Sequence, residues 1–195
     1  FDLSRASPRV WMALGEAQSK CEHVAGVPLR PDTAHELHKV YLAKGVLATT
    51  AIEGNTLSED EVRQLLDGKL KLPTSREYLK KEIDNVIAAF NEMLALMEKG
   101  EVASISPDTV SSLNALVLKD LDVGEGVIPG NLRKDSRVVG RYLCAPAEDC
   151  GYLLERFCDW MNGATFQPKR KGDEIVHGII KSVVAHIYFV WIHPF

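Results

Sequence analysis

The chain has 195 residues, 46% of them hydrophobic and 26% charged, enough for one core-forming domain, or one with a small attachment, that needs neither disulfides nor metal. A net charge of −4 and a pI near 5.9 argue against a nucleic-acid surface, which is usually basic. No run of about 18 apolar residues is free of charge, because Lys181 and His186 interrupt the best candidate, so no membrane span is expected.

Helical periodicity dominates. Residues 33–52 carry apolar positions at Leu37, Val40, Tyr41, Leu47, Ala48, Ala51 and Ile52, with Pro31 and Asp32 as the start. Ser58 with Glu61 reads as a capping box for a short helix that Gly68 stops. Thr74 with Glu77 reads the same way ahead of a long amphipathic helix, whose stripe is Leu79, Ile83, Val86, Ile87, Phe90, Met93, Leu94 and Met97 and whose stop is Gly100. Ser106-Pro107 opens a further helix through Val110, Leu113, Leu116 and Val117. Glycines and prolines then crowd residues 121–147, and Arg137-Val138-Val139 and Arg141-Tyr142-Leu143 around Gly140 predict a small hairpin. Helical spacing returns with Tyr152, Leu153, Leu154, Phe157, Trp160 and Met161, and residues 163–173 read as a polar loop. The last helix, from Ile175 to Trp191, has an apolar face too wide for a surface position, so it is expected at the core. The fold class is therefore all-α with one hairpin.

Cys21, Cys144, Cys150 and Cys158 form no C-x-x-C pair and lack zinc-ligand spacing. Free thiols, no secretory signal pattern and a cytoplasmic location are the expectation. His35-Glu36-Leu37-His38 places two histidines three apart with no third ligand, unlike a zinc helix. Lys169-Arg170-Lys171 reads as a solvated loop, and Gly124-Glu125-Gly126 lacks a dinucleotide setting.

His193 is the first candidate site. A histidine, with a reference pKa of about 6.5, can be neutral at working pH and take a proton from a hydroxyl. It stands where a rigid apolar helix breaks at Pro194, a place that would fix the ring without burying it. Glu53 is the second, four residues after Thr49 and so on the same helix face. Gly54 and Asn55 have a local explanation as residues that end a helix through left-handed backbone. The hairpin is the third: an open strand edge can hold an extended peptide, while Arg133, Lys134, Arg137 and Arg141 read equally as solvated basic residues of a surface turn.

Four strings resemble one family. HGIIKSVVAHIYFVWIHPF (177–195) is similar to the core helix of Fic-domain proteins leading into their His-Pro-Phe catalytic motif. GNLRKDSRVVG (130–140) is similar to their flap, a G-x-x-R followed by a Val-Gly turn, and APAEDCGYLLERFCDWMN (145–162) to the Pro-containing approach and the helix ending in Trp-x-Asn. TTAIEGNT (49–56) resembles the family's inhibitory motif, [ST]-x-x-x-E-[GN]. The resemblance implies a Fic-type helical bundle, with a helical region at 1–100 that includes an inhibitory helix at about 33–54, and a Fic core at 101–195. It implies a nucleotidyltransferase that moves AMP from ATP to a Ser, Thr or Tyr hydroxyl of a target protein. His193 would be the general base, Pro194 would shape the turn and Phe195 would anchor the loop. Glu53, supported by Thr49 and Gly54, would inhibit, and Arg137, Val138, Val139 and Gly140 would dock the target. The acidic Mg²⁺ ligand, the glycine-rich phosphate nest and the arginine of the family's motif are not in these 195 residues, so the site is expected to be cut off after Phe195. Partners are the target protein, with a homo-oligomer left open, and neither nucleic acid nor membrane. The alternatives are a non-catalytic binding or regulatory module on the same fold, or an enzyme using another phosphate-containing donor.

Overall fold

A computed structural model describes residues 3–99, 104–168 and 170–195. The expected stop at Gly100, and Lys169 of the basic loop, lie outside the described residues. The chain forms two compact units interleaved in sequence: one takes the described residues of 1–28, 104–107 and 132–194, the other those of 29–103, 108–131 and residue 195. Seven α-helices and one two-stranded antiparallel ribbon make up the described regular structure, apart from short 3₁₀ turns. The all-α class with a hairpin is what the fold is.

In the second unit, α2 (Pro31–Ile52), α3 (Glu59–Leu66) and α4 (Glu77–Glu98) close on one core. Ala43 and Val46 of α2, Leu57, Val62 and Leu65 around α3, and Leu79, Ile83 and Val86 of α4 are all buried there. At about 1.5–3 kcal/mol per buried aliphatic side chain, this cluster is the main source of that unit's stability. Ser58 caps α3 as expected: its hydroxyl accepts from the Glu61 N–H at 3.2 Å, and the Glu61 carboxylate accepts from the Ser58 N–H at 2.8 Å. The Ser58 backbone N–H is also the first cause that holds the Glu61 carboxyl below the usual range. Gly68, at φ 69, ends the turn after α3.

Two expectations about α4 do not hold. Thr74 is not an N-cap, because Thr74–Arg76 is a 3₁₀ turn and α4 begins at Glu77 without a side-chain cap. The Pro73 carbonyl accepts from the Arg76 N–H at 2.8 Å, so the tighter turn has already taken the residues a capping box would use. The apolar stripe also packs only through its first half: Phe90, Met93, Leu94 and Met97 are exposed. Polar side chains complete the unit. Asn85, buried on α4, donates to the carbonyls of Val117 (3.0 Å) and Lys119 (2.8 Å), closing the C-terminal end of α5 (Pro107–Val117).

The end of α2 is tightly specified. Asn55 N–H donates to Thr50 O at 3.1 Å and Gly54 N–H to Ala51 O at 3.2 Å, the paired bonds of a Schellman stop, with Gly54 at φ 91. Asn55 does not itself adopt left-handed backbone. It is buried, its amide donating to Leu79 O (2.9 Å) and Glu82 Oε2 (2.8 Å) while its Oδ1 accepts from Leu57 N–H (3.0 Å). Asn55→Ala strands the buried Leu57 N–H, so it should cost about 1–3 kcal/mol. A urea melt should show this as a lower midpoint at unchanged slope.

In the first unit, α7 (Glu174–Ile192) packs against α6 (Cys150–Asn162) and against α1 (Pro8–Ala25). Helical periodicity alone does not mark α1, although Ser7-Pro8 is the same opening as Ser106-Pro107. Leu154, Phe157, Cys158 and Met161 of α6 are buried, as are Val184 and Ile192 of α7. Phe157 stacks on Tyr188 at 5.6 Å, and Tyr188 meets Trp160 at 5.6 Å and the edge of Trp191 at 5.7 Å. The Asn162 amide grips Ile105 at both backbone groups, at 2.9 and 2.7 Å, tying the segment before α5 to α6.

The core expectation for α7 holds for only part of its surface. Ile179, Val183, Ile187, Val190 and Trp191 are exposed, while α1 and α6 pack against the helix. By length and composition α7 is also apolar enough to cross a membrane, with a mean hydropathy of 1.7, which the interruption by Lys181 and His186 does not prevent.

Candidate active site

Proline after a helix's last turn leaves carbonyls with no intrahelical partner. At the end of α7 the carbonyls from Trp191 to Pro194 each have a donor. Ala145 N–H donates to Trp191 O at 3.1 Å. The Arg133 side chain takes the next two, its Nη2 donating to Ile192 O at 3.1 Å and its Nε to His193 O at 2.6 Å. The backbone N–H of Arg133 donates to Pro194 O at 2.9 Å. The same guanidinium donates through Nη1 to Asp135 O at 2.6 Å and through Nη2 to Ala145 O. A buried cation set against the C-terminal end of a helix also meets the negative end of its dipole.

This arrangement holds His193 in an unusual backbone. Its φ of 46 and ψ of 63 lie in the left-handed region, and its N–H closes α7 on Phe189 O at 2.8 Å. A residue with a Cβ pays about 1–3 kcal/mol there, and a following proline adds its own preference for extended backbone. Such strain persists only where neighbours over-determine it. Here the neighbours are Arg133, the fully buried Pro194 and the fully buried Ile192. His193 itself is half-buried, as is Phe195.

The hairpin leaves from the same anchor. β1 (Val138–Val139) pairs with β2 (Tyr142–Leu143) in the register Val138 with Leu143 and Val139 with Tyr142. Gly140, at φ 60, makes the two-residue turn with Arg141. Cys144 N–H donates to Arg137 O at 3.1 Å, closing the base. All four strand residues are exposed: Val138, Val139, Tyr142 and Leu143. Arg137 is half-buried, whereas Lys134 and Arg141 are exposed. Cys150, at the start of α6, offers its thiol to Pro146 O and Ile192 O, and burial pushes it up despite the opposing pull of Arg133.

Arg133 is the residue that sequence reasoning misjudged. Its reading as one of four solvated flap cations is wrong, because it alone of them is buried, with each nitrogen bonded to a carbonyl. The available signal was the unpaired end of α7, which demanded donors from somewhere in the chain.

His193, Pro194 and the hairpin thus share the first unit, and Thr49, Glu53 and Gly54 belong to the second. Thr49 is exposed and its hydroxyl donates to Gly45 O at 2.9 Å, a bond along its own helix. Glu53 is exposed and caps the C-terminal end of α2, which has no basic residue in its last turn. An acidic side chain there faces the negative end of the dipole, which costs about 0.3–1 kcal/mol. Among the described residues no group of three or more His, Cys, Asp or Glu side chains could hold a metal ion.

Residues 104–195 match the Fic/DOC family. The chain is 27% identical over 150 residues to protein adenylyltransferase fic-1 of Caenorhabditis elegans, covering 77% of this chain and 28% of that protein. It is 27% identical over 150 residues to protein adenylyltransferase Fic of Nematostella vectensis, covering 75% of this chain and 32% of that protein. The chain thus spans less than a third of the length of either relative. Among solved structures, a Fic domain containing signaling protein from Bacteroides thetaiotaomicron superposes with a TM-score of 0.74 at 17% identity, over 93% of this chain and 66% of that one. A Fic family protein from Desulfovibrio desulfuricans gives 0.67 at 20% identity, over 97% and 53%. Residues 104–195 thus carry a Fic/DOC family domain, and the chain shares the helical fold of solved Fic family proteins.

Proposed function

We propose that the protein containing this chain is a protein adenylyltransferase in which His193 is the general base. The observation that carries the reading is the strained, over-determined backbone of His193 at the break of a helix whose last two carbonyls, those of Trp191 and Ile192, are bonded from elsewhere in the chain. The relatives, protein adenylyltransferases by name, supply the reaction class. In that reaction a target hydroxyl oxygen attacks the α-phosphorus of ATP and the bond from that phosphorus to the bridging oxygen breaks. Pyrophosphate leaves, and the hydroxyl proton passes to the His193 imidazole. A rigidly held base contributes through position as well as basicity, since an orientation won before reaction need not be found during it. Mg²⁺ would supply charge neutralisation at the phosphates when bound.

The exposed hairpin supplies the target's seat on this reading. Two short strands with free edges and four exposed apolar side chains suit an extended segment added as a third strand. Glu53 is the brake, acting from the end of α2 on the seat of the nucleotide's γ-phosphate by pairing with an arginine of the catalytic motif.

The test is label retention by the full-length protein with MgATP. AMP transfer keeps an α-phosphate label on protein and loses a γ-phosphate label. Retention of the γ label would mean phosphoryl transfer. Retention of neither, with no measurable MgATP binding, would overturn the enzyme reading and leave a binding module.

A further inference from the structure

We propose that Arg133 is a positioning residue for the reaction: its guanidinium and its backbone N–H set the left-handed backbone of His193 and so the place of the imidazole. The proposal rests on His193 acting as base, and its structural half can be measured without any catalysis.

The geometry carries the argument. Three successive carbonyls, those of Ile192, His193 and Pro194, accept from this one residue. Bonds to Ile192 O and His193 O come from different nitrogens of one planar group, so the two peptide planes flanking the His193 nitrogen and carbonyl are fixed relative to each other. The remaining bonds, to Asp135 O and Ala145 O, fix the guanidinium itself to the two sides of the hairpin base. Arg133 therefore couples the seat of the target-docking hairpin to the seat of the base. A lysine in its place keeps the charge but offers donors from a single point, and it cannot span carbonyls on both segments at once.

The consequence separates from general stability. A slackened His193 loses orientation in the reacting complex while the nucleotide's binding groups are untouched, so kcat should fall and KM should not. A displacement of about 1 Å can cost about 100-fold; a lysine that retains part of the bonding should cost about tenfold.

The experiment uses the full-length protein and its Arg133→Lys variant at a temperature well below both melting points. The expected result is kcat for AMP transfer down about tenfold, KM for ATP changed by less than about twofold, and a displaced NMR signal for the His193 ring. Wild-type kcat with a wild-type His193 signal in a folded Arg133→Lys protein would overturn the proposal. Should that variant not fold, amide exchange on the wild type decides instead. The Arg133 amide should exchange as slowly as those of Ala145 and His193, and fast exchange at Arg133 alone would overturn the coupling. A failure of the base reading looks different: His193→Ala would keep its activity, while the His193 signal would still move in Arg133→Lys.

Discussion

His193→Ala should reduce AMP transfer by about 10²- to 10⁴-fold, the usual contribution of a positioned general base. The reason to expect loss at the chemical step, and not through collapse, lies in the backbone. His193 already spends free energy to occupy φ 46 before a proline, and removing its ring leaves the fold's carbonyl partners in place. Ile192, Pro194 and Arg133 supply the burial and the bonds, and none of those bonds uses the imidazole. His193→Gly sharpens the test, because glycine adopts left-handed backbone without a Cβ penalty. It should be as inactive as the alanine variant, with a thermal midpoint equal to or above wild type. ATP binding should persist in both. Activity retained by either variant would remove His193 from the mechanism, while loss of activity together with a large drop in midpoint would make it a structural residue.

What was legible in the sequence follows from which forces are local. The Ser58–Glu61 capping box, the α2 span beginning at Pro31, and the hairpin around Gly140 depend on residues within a few positions of each other, and each formed as read. Thr74-Glu77 has the same capping-box pattern as Ser58-Glu61, yet a 3₁₀ turn after Pro73 takes the backbone first. The width of the apolar face on α7 was plain, but periodicity says only that a face is apolar and not what covers it. Asn55 and Arg133 mark the limit most clearly. Both are polar side chains with partners 24 to 60 residues away, on Leu79, Glu82, Ile192 and His193, beside nearer ones. A rule that places asparagine after a helix and arginine on a turn has no access to those carbonyls. The unmet carbonyls at the end of α7 could have been anticipated, although which of several arginines would meet them could not.

Glu53→Gly should raise AMP transfer by the full-length protein by about 10- to 100-fold. A hydrogen bond to a charged group contributes about 1.5–3 kcal/mol, and a brake of that size holds all but a few per cent of the molecules in the blocked state. The local electrostatics favour a brake over a structural role. Glu53 is exposed, opposes the α2 dipole, and has no basic neighbour in the last turn of its helix, so the fold gains nothing evident from its charge. Glu53→Gln should therefore release activity almost as well as glycine, with stability equal to or slightly above wild type, because it removes the charge and leaves the Gly54 stop intact. Equal labelling by wild type and both variants would sink the inhibitory role. The anchor of the brake gives a finer prediction of the same kind. Asn55 fixes the end of α2 to Leu79 and Glu82 of α4, and Glu53 has no other means on its own helix of holding a defined direction. Asn55→Ala should then release part of the activity that Glu53→Gly releases in full, and the two changes should not add, since a brake already removed cannot be loosened.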